Sequence, residues 1–293
     1  MPGDPSNRRA ASLTRSAPIE VELLWHRFEV HVDDAPARDA LQAIRLGAVQ
    51  DLDPQITCVL EVVGAPGTYR VHDNGDLLAT APSTNEVVGI VLERMQRRAF
   101  ELAALKSWLR IHGAVLTIGD RRVAAIGASG SGKTTLSVAA LAAGHQVEAD
   151  ESFLFAGGVA IAVPRRFHIE HGTFDLVPEA RSWAVDAPML STDPPVVALD
   201  PSEVGHGWHT RSGPLDAVVI IGTGPDHDLR ALDTSTALPL LMSQALPTIE
   251  TRAAVASHIA GLLRTTPVHA IGGRHRLDPQ ALLEVLAGVP VHR

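Results

Sequence analysis

The chain has 293 residues, of which 45% are hydrophobic and 20% are charged, with a formal net charge of -8. The apolar fraction is too high for a disordered chain, and the acidic balance argues against a protein that holds nucleic acid by bulk charge. No apolar run approaches the roughly 20 residues of a membrane-spanning helix. The single cysteine, Cys58, excludes an internal disulfide and is typical of a reducing compartment. We therefore expect a soluble, cytoplasmic protein that binds neither nucleic acid nor membrane.

The first third of the chain predicts a flexible tail and a small α+β domain. Residues 1–17 are basic and polar, as in a solvated tail. The patterns that follow predict strands in 19–32, a helix in 36–49, strands in 56–63 and 68–80, and a helix in 84–108. Asn74-Gly75 predicts a tight hairpin within the last strand region. Ser83 and Glu86 form a capping-box pattern at the start of the long helix.

The rest of the chain predicts an α/β domain. Its expected elements are strands at 115–118 and 122–126, a helix at 133–143, strands at 146–149 and 215–221, helices at 235–245 and 249–264, a strand at 268–271 and a last helix after Asp278. Residues 156–215 are rich in Pro, Gly, His and Trp, so we expect inserted strands and a substrate-facing loop there. The predicted organisation is a tail (1–17), an N-terminal α+β domain (18–108) and a C-terminal α/β domain (109–293).

A glycine-rich motif, G-x-x-x-x-G-K-[ST], lies between the strand at 122–126 and the helix at 133–143. Glycines let successive backbone N–H groups point inward at an anion, and the helix N-terminus adds partial positive charge. A lysine in this position reaches the β- and γ-phosphates, and the following hydroxyl holds Mg²⁺. The residues expected to bind a nucleotide are Gly127, Ala128, Ser129, Gly130, Ser131, Gly132, Lys133, Thr134 and Thr135.

Two adjacent carboxylates, Asp150 and Glu151, end the strand that follows the motif helix. Phosphoryl transfer needs an acid that holds the metal and a group that orients or deprotonates the attacking hydroxyl. Neighbouring residues on a strand point to opposite sides, so the two carboxylates can divide these roles. We expect the Thr134 hydroxyl of the motif and one of these carboxylates to hold magnesium.

Several nucleotide-binding classes lack their remaining parts in this sequence. An ABC-type ATPase needs an LSGGQ-like segment, and a GTPase needs an N-K-x-D motif, for which no lysine besides Lys106 and Lys133 exists. Small-metabolite kinases of the shikimate type begin at their glycine-rich loop, whereas about 126 residues precede it here.

The stretch from 110 to 155 resembles the HPr kinase/phosphorylase family. The resemblance is carried by His112-Gly113-Ala114-Val115-Leu116, by the glycine-rich motif, and by Gly144-His145 followed by Ala149-Asp150-Glu151. The motif with its trailing Thr-Thr-Leu-Ser is also similar to phosphoenolpyruvate carboxykinase, which is related to that family by fold.

The resemblance implies a P-loop kinase core with a mixed sheet, of the carboxykinase type, preceded by a separate N-terminal domain. It implies transfer of the γ-phosphate of ATP, with Mg²⁺, to a Ser or Thr hydroxyl of a protein or peptide. In this reading Lys133 contacts the phosphates, and Asp150 holds Mg²⁺ together with Thr134. Glu151 deprotonates the acceptor, and His112 orients Glu151. The family has Asp where this chain has Glu151, and its later signature segment has no clear match in 196–214.

These departures leave the acceptor open between a protein or peptide and a small metabolite such as serine. A regulator that binds nucleotide without transfer is a third reading, and the resemblance leaves a homo-oligomer open. Three arginines, Arg165, Arg166 and Arg211, are candidates for a clamp on the γ-phosphate or on an anionic acceptor.

Overall fold

The computed structural model describes residues 16–185, 187–192, 195–205, 207–226, 229–246, 251–272 and 278–290. Residues 1–15 of the predicted tail and the first two residues of the helix predicted at 249–264 lie outside this range. No helix within it is long and apolar enough to span a membrane.

The chain is of mixed α/β type. Its strands are β1 (Ile19–Leu23), β2 (His26–Val32), β3 (Val49–Gln50), β4 (Ile56–Val63), β5 (Tyr69–Asp73), β6 (Asp76–Ala81), β7 (Leu109–Ile118), β8 (Arg121–Ile126), β9 (Gln146–Ala149), β10 (Ser152–Ala156), β11 (Val159–Ala162), β12 (Phe167–Glu170), β13 (Met189–Thr192), β14 (Pro195–Leu199), β15 (His209–Thr210), β16 (Ser212–Gly213), β17 (Ala217–Asp226), β18 (Arg230–Ala231) and β19 (Val268–Gly272). Its α-helices are α1 (Ala35–Leu41), α2 (Thr84–Leu105), α3 (Lys133–Ala142), α4 (Thr173–Leu176), α5 (Thr234–Met242), α6 (Arg252–Thr265) and α7 (Pro279–Ala287). Short 3₁₀ helices cover Gln42–Ile44, Pro178–Arg181 and Pro201–Val204.

Two compact units make up the chain. One, the N-terminal unit, comprises Met1–Val21, Arg27–Arg45 and Thr57–Glu93, and the other, the C-terminal unit, comprises Glu22–His26, Leu46–Ile56 and Arg94–Arg293. The division into domains at residue 108 stays a prediction.

The N-terminal unit holds most of a sheet with the strand order β1-β2-β4-β5-β6. The predicted hairpin between β5 and β6 is confirmed: Asn74 and Gly75 both have positive φ, at 49° and 89°. These left-handed conformations suit the twist of a two-residue turn, and Asn and Gly tolerate them. The start of α2 is also as predicted, since the Glu86 backbone N–H donates to the Ser83 hydroxyl at 3.3 Å.

The helix predicted at 36–49 is too long. Helical structure ends at Ile44, and β3 instead pairs in parallel with β15 within the C-terminal unit. Gly47 is packed so closely that a Cβ there would lie 1.8 Å from the Ser202 hydroxyl, and its N–H donates to Asp200 at 2.8 Å. This pairing with distant residues outweighs the local helical preference.

The C-terminal unit is built on a mixed sheet with the order β16-β11-β10-β7-β8-β17-β19-β18, with β9 also paired to β7. Side chains alternate along the central strands. Ala114 and Leu116 face a core shared with α3 and α7, whereas Ile111 and Val115 face a second core shared with α5 and α6. The sheet is therefore covered by helices on both faces, as expected for an α/β unit.

Strand β7 pairs with the strands whose ends form the predicted site. It pairs antiparallel with β8, so that Gly113 lies opposite Ile126, the last residue before the glycine-rich motif. On its other edge it pairs antiparallel with β9 and then with β10. It begins at Leu109, six residues before the predicted strand start, so His112 lies within the strand.

A β-bulge interrupts β9 at Glu148. Val147 lies opposite Leu116 and Ala149 opposite Val115, so Glu148 is the extra residue. Its carboxylate is 1% exposed and accepts from the buried Arg122 guanidinium at 2.8 Å. The same carboxylate also accepts from Arg211 at 3.0 Å. The bulge is therefore fixed by a buried ion pair.

Replacing Arg122 with Met is expected to lower the free energy of unfolding by about 3 kcal/mol, because the buried Glu148 loses its main partner and retains Arg211. Urea unfolding followed by tryptophan fluorescence measures the change. Arg97→Met is the control, since Arg97 forms an exposed i,i+4 pair with Glu101 worth no more than about 0.5 kcal/mol. An Arg122→Met change as small as that of the control would contradict a structural role for the pair.

Candidate functional site

The glycine-rich segment Gly127–Thr134, here called the glycine loop, leaves β8 and enters α3 at Lys133. Gly130 and Gly132 have φ of 74° and 94°, a conformation that strongly favours glycine. A Cβ at Gly127 would lie 2.6 Å from the Ser131 hydroxyl and 2.9 Å from the Ile221 carbonyl. The Ser131 hydroxyl is itself buried and has no hydrogen-bond partner among the described residues. The loop is thus a tight backbone turn with an unused polar group.

The Lys133 side chain folds back over this loop. Its ammonium donates to the carbonyls of Gly127 at 2.7 Å and Ala128 at 3.0 Å, and the residue is 6% exposed. Burial lowers the pKa of Lys133, while the nearby carboxylates of Asp150 and Glu151 act in the opposite direction. A buried ammonium is therefore held at the start of α3.

Asp150 lies beside the same helix turn. The Thr134 hydroxyl donates to its Oδ2 at 2.9 Å, whereas its Oδ1 is buried without a hydrogen bond among the described residues. Burial raises the pKa of Asp150, although the Ser137 and Thr134 hydroxyls act to lower it. The buried carboxylate thus lies against the Ser137 and Thr134 hydroxyls of α3, and its Oδ1 lacks a well-formed hydrogen bond among the described residues.

Glu151 is the centre of a second group of charges. Its Oε1 lies 3.2 Å from Arg165 Nη1 and 3.8 Å from His112 Nδ1. The backbone fixes this arrangement, because the Glu151 carbonyl accepts from Gly113 N–H at 3.1 Å. A Cβ at Gly113 would lie 2.9 Å from the Ala125 carbonyl, so the backbone of β8 leaves room only for glycine at this position of β7.

The two histidines of this group are disfavoured as cations. Burial, followed by the Lys133 charge, lowers the pKa of His112, while Glu151 raises it. Burial and then the Arg165 charge lower the pKa of His168 to about 4. Arg165 Nη2 lies 2.7 Å from His168 Nδ1 and 3.1 Å from its Nε2, and a guanidinium can only donate, so the His168 ring is the acceptor.

Arg110 belongs to the site but was missed in the sequence analysis. It precedes His112 by two residues on β7, so both lie on one face of the strand. Its Cζ is 3.8 Å from the centre of the Phe100 ring, and its Nε donates to the Ser152 hydroxyl at 3.2 Å. The sequence could have indicated Arg110, because alternate residues of a strand share a face and Arg110 is two residues before His112. The predicted strand began too late to include either residue.

The structure does not bring Arg166 and Arg211 to the glycine loop. Arg166 pairs with Glu203 at 3.2 Å and lies 3.8 Å from Asp200. Arg211 lies against Glu148 and donates to the Thr117 hydroxyl at 2.6 Å, four residues along β7 from Gly113. At about 3.3 Å per residue that is roughly 13 Å from the strand position facing the loop. Of the three clamp candidates, Arg165 alone contacts Glu151.

A cavity of about 540 Å³ opens over the glycine loop. Thr135 contributes to its wall and shares a hydrogen bond of 3.2 Å with Thr173. Beyond the loop, the lining residues are mostly apolar, with two polar residues at the end of α5: Leu136, Leu176, Ile220, Ile221, Gly222, Leu240, Ser243, Gln244, Pro279 and Leu282. The Gln244 carbonyl accepts from the His112 N–H at 2.8 Å, which ties this wall to β7.

The described residues contain no group of three or more His, Cys, Asp or Glu side chains that could hold a metal ion by themselves. The Thr134–Asp150 pair nevertheless fits Mg²⁺, which keeps several waters and is usually bound by one or two carboxylates together with substrate phosphates. The unsatisfied Asp150 Oδ1 is the observation that supports this fit.

Comparisons with known proteins add little to this description. No protein family matches the sequence, and no curated protein has a matching sequence. Among solved structures, the HPr(Ser) kinase/phosphatase from Coxiella burnetii is similar at 15% identity with a TM-score of 0.34, covering 61% of this chain and 88% of that one. A match this distant supports no inference about chemistry, which rests on this chain's own residues.

His168 is expected to titrate near pH 4 rather than near its ordinary 6.5, because burial and Arg165 both oppose its protonation. Between these pH values the unfolded chain binds the proton more readily than the folded one, so this group reduces stability as the pH falls. A pH titration of the histidine ring resonances measures the midpoint. Arg165→Gln is expected to raise the midpoint without restoring it to 6.5, since burial remains. A wild-type midpoint near 6.5 would contradict the packing described.

Proposed function

We propose that this protein is an ATP- and Mg²⁺-dependent kinase that transfers the γ-phosphate to a hydroxyl group, as on a Ser or Thr of a peptide or protein. The observation that carries the proposal is the 2.9 Å contact between Thr134 and the buried Asp150, made at the end of a glycine loop. It joins a phosphate-binding element to a metal-binding carboxylate, and Glu151 follows directly in the chain.

The glycine loop and Lys133 would bind the phosphates of the nucleotide. Backbone N–H groups at the start of α3 favour an anion, and the Lys133 ammonium lies within the loop. A phosphate oxygen is a better acceptor for that ammonium than the two neutral carbonyls it now contacts. The cavity above the loop, apolar apart from Thr135, Ser243 and Gln244, has a volume suited to the rest of a nucleotide.

Thr134 and Asp150 would hold the magnesium ion. When bound, Mg²⁺ neutralises charge that develops on the β- and γ-phosphates. The protein's contribution is to keep Asp150 oriented, which the Thr134 hydrogen bond and the buried environment do.

Glu151 would take the proton of the acceptor hydroxyl. The acceptor oxygen forms a bond to the γ-phosphorus, its proton passes to the Glu151 carboxylate, and ADP leaves with the electrons of the broken phosphorus–oxygen bond. At 38% exposed, the Glu151 side chain can be reached by an acceptor from solvent. His112 and Arg165 position this carboxylate from two sides. The fold thereby proposed is the P-loop kinase core of the HPr kinase type.

Label transfer from γ-labelled ATP into a lysate of the source cells tests the proposal. Wild type is expected to label the macromolecular fraction, whereas Lys133→Ala and Glu151→Gln are expected to lose at least about 100-fold in rate, since each removes a phosphate-binding or base group. Glu151→Gln should still bind ATP nearly as wild type does. Arg97→Gln, on the exposed face of α2, is the control.

Label confined to the small-molecule fraction would instead indicate a metabolite kinase. ATP binding without transfer into either fraction would contradict a kinase and favour a nucleotide-sensing regulator. Transfer by Glu151→Gln at the wild-type rate would overturn the assignment of the base.

A further inference from the structure

The Arg110 guanidinium is held in one orientation, and its terminal nitrogens have no hydrogen-bond partner among the described residues. Stacking on Phe100 fixes its plane, and the Nε bond to Ser152 fixes its rotation. Its two terminal nitrogens make no hydrogen bond or ion pair within 4 Å among the described residues, whereas Arg165 and Lys133 use theirs on neighbouring groups. An oriented guanidinium with both terminal nitrogens free is suited to bidentate binding of a carboxylate or phosphate.

Arg110 lies further along β7 than the residue that faces the start of the glycine loop. On β7 it is three residues before Gly113, which faces the end of β8, a separation of about 10 Å along the strand. Glu151 interacts electrostatically with both Lys133 and Arg110, so the Arg110 guanidinium lies near the carboxylate proposed as the base. The donor phosphates have the glycine loop and Lys133 as partners, so Arg110 is left for another anion.

The partial burial of Arg110 also favours an added anion. Burial lowers the pKa of Arg110 to about 10, while Glu151 raises it and Arg165 lowers it. A partly buried guanidinium is stabilised by a second negative neighbour.

We propose that Arg110 binds a carboxylate of the phosphate acceptor, so that the acceptor carries a carboxylate close to the hydroxyl that is phosphorylated. This inference rests on the proposed kinase function and names the class of acceptor. Free serine, a peptide ending in serine and a peptide with an acidic residue beside the serine all present this chemistry. Arg110 is thus assigned as a specificity-determining residue.

Chemical protection tests the anion site without any activity. The protein is loaded with a non-hydrolysable ATP analogue and Mg²⁺, treated with phenylglyoxal, and the modification of Arg110 is followed by mass spectrometry. Malonate is expected to slow the modification at least threefold, whereas its neutral counterpart malonamide is not. Protection by the nucleotide analogue alone, with none added by malonate, would assign Arg110 to the donor phosphates and overturn the proposal. The absence of any protection would overturn it as well.

Acceptor selectivity tests the same assignment by activity. Matched pairs are compared: L-serine with L-serinamide, and serine-ending and acidic peptides with their amidated forms. The carboxylate form is expected to have a KM at least about tenfold lower in one of these pairs, and Arg110→Gln is expected to remove that difference in KM. Arg110→Lys should restore part of it, and Arg97→Gln is the control.

The outcomes separate this inference from the proposed function. Equal use of acid and amide forms by an active wild type would overturn the carboxylate assignment and leave the kinase intact. Absence of transfer by wild type in every arm would count against the kinase, and the protection experiment would still decide whether Arg110 binds a carboxylate.

Discussion

The antiparallel pairing of β7 with strands on both its edges is the constraint on which the site depends. Because Gly113 faces Ile126 on one edge and the Glu151 backbone on the other, the glycine loop and the two carboxylates are brought to the same level of the sheet. Glycine is required at this point, since the Ala125 carbonyl would lie 2.9 Å from a Cβ. The side chains of Arg110 and His112 then extend the site along the same strand.

The bulge at the buried Glu148 determines that Asp150, and not Glu151, contacts helix α3. As the extra residue of the bulge, Glu148 shifts the pairing of everything after it by one position, and side chains on a strand alternate between faces. Asp150 therefore meets Thr134, and Glu151 meets His112 and Arg165. A buried ion pair need not add net stability, but removing one partner is costly. The Arg122–Glu148 pair therefore keeps the bulge, and with it the register of β9 against β7, in place.

The sequence predicted the local parts of the site well. The strand preceding the glycine loop, the helix after it and the strand ending at Ala149 follow from short-range patterns, as does the Asn74-Gly75 hairpin. Long-range pairing was not predictable in this way. Arg166 and Arg211 were candidates because of their charge and position, yet each is paired with carboxylates that are distant in sequence or belong to another strand. The segment around Gly47 looked helical because its contacts with Asp200 have no local signature.

The central claim is that the glycine loop and Asp150 together bind a nucleoside triphosphate with its magnesium ion. Calorimetric titration of ATP, with and without Mg²⁺, into wild type and Asp150→Asn tests it most directly. Wild type is expected to bind ATP at least about tenfold more tightly with Mg²⁺, and Asp150→Asn to keep the metal-free affinity while losing that gain. Failure of wild type to bind ATP, or an equal gain from Mg²⁺ in both proteins, would contradict the claim.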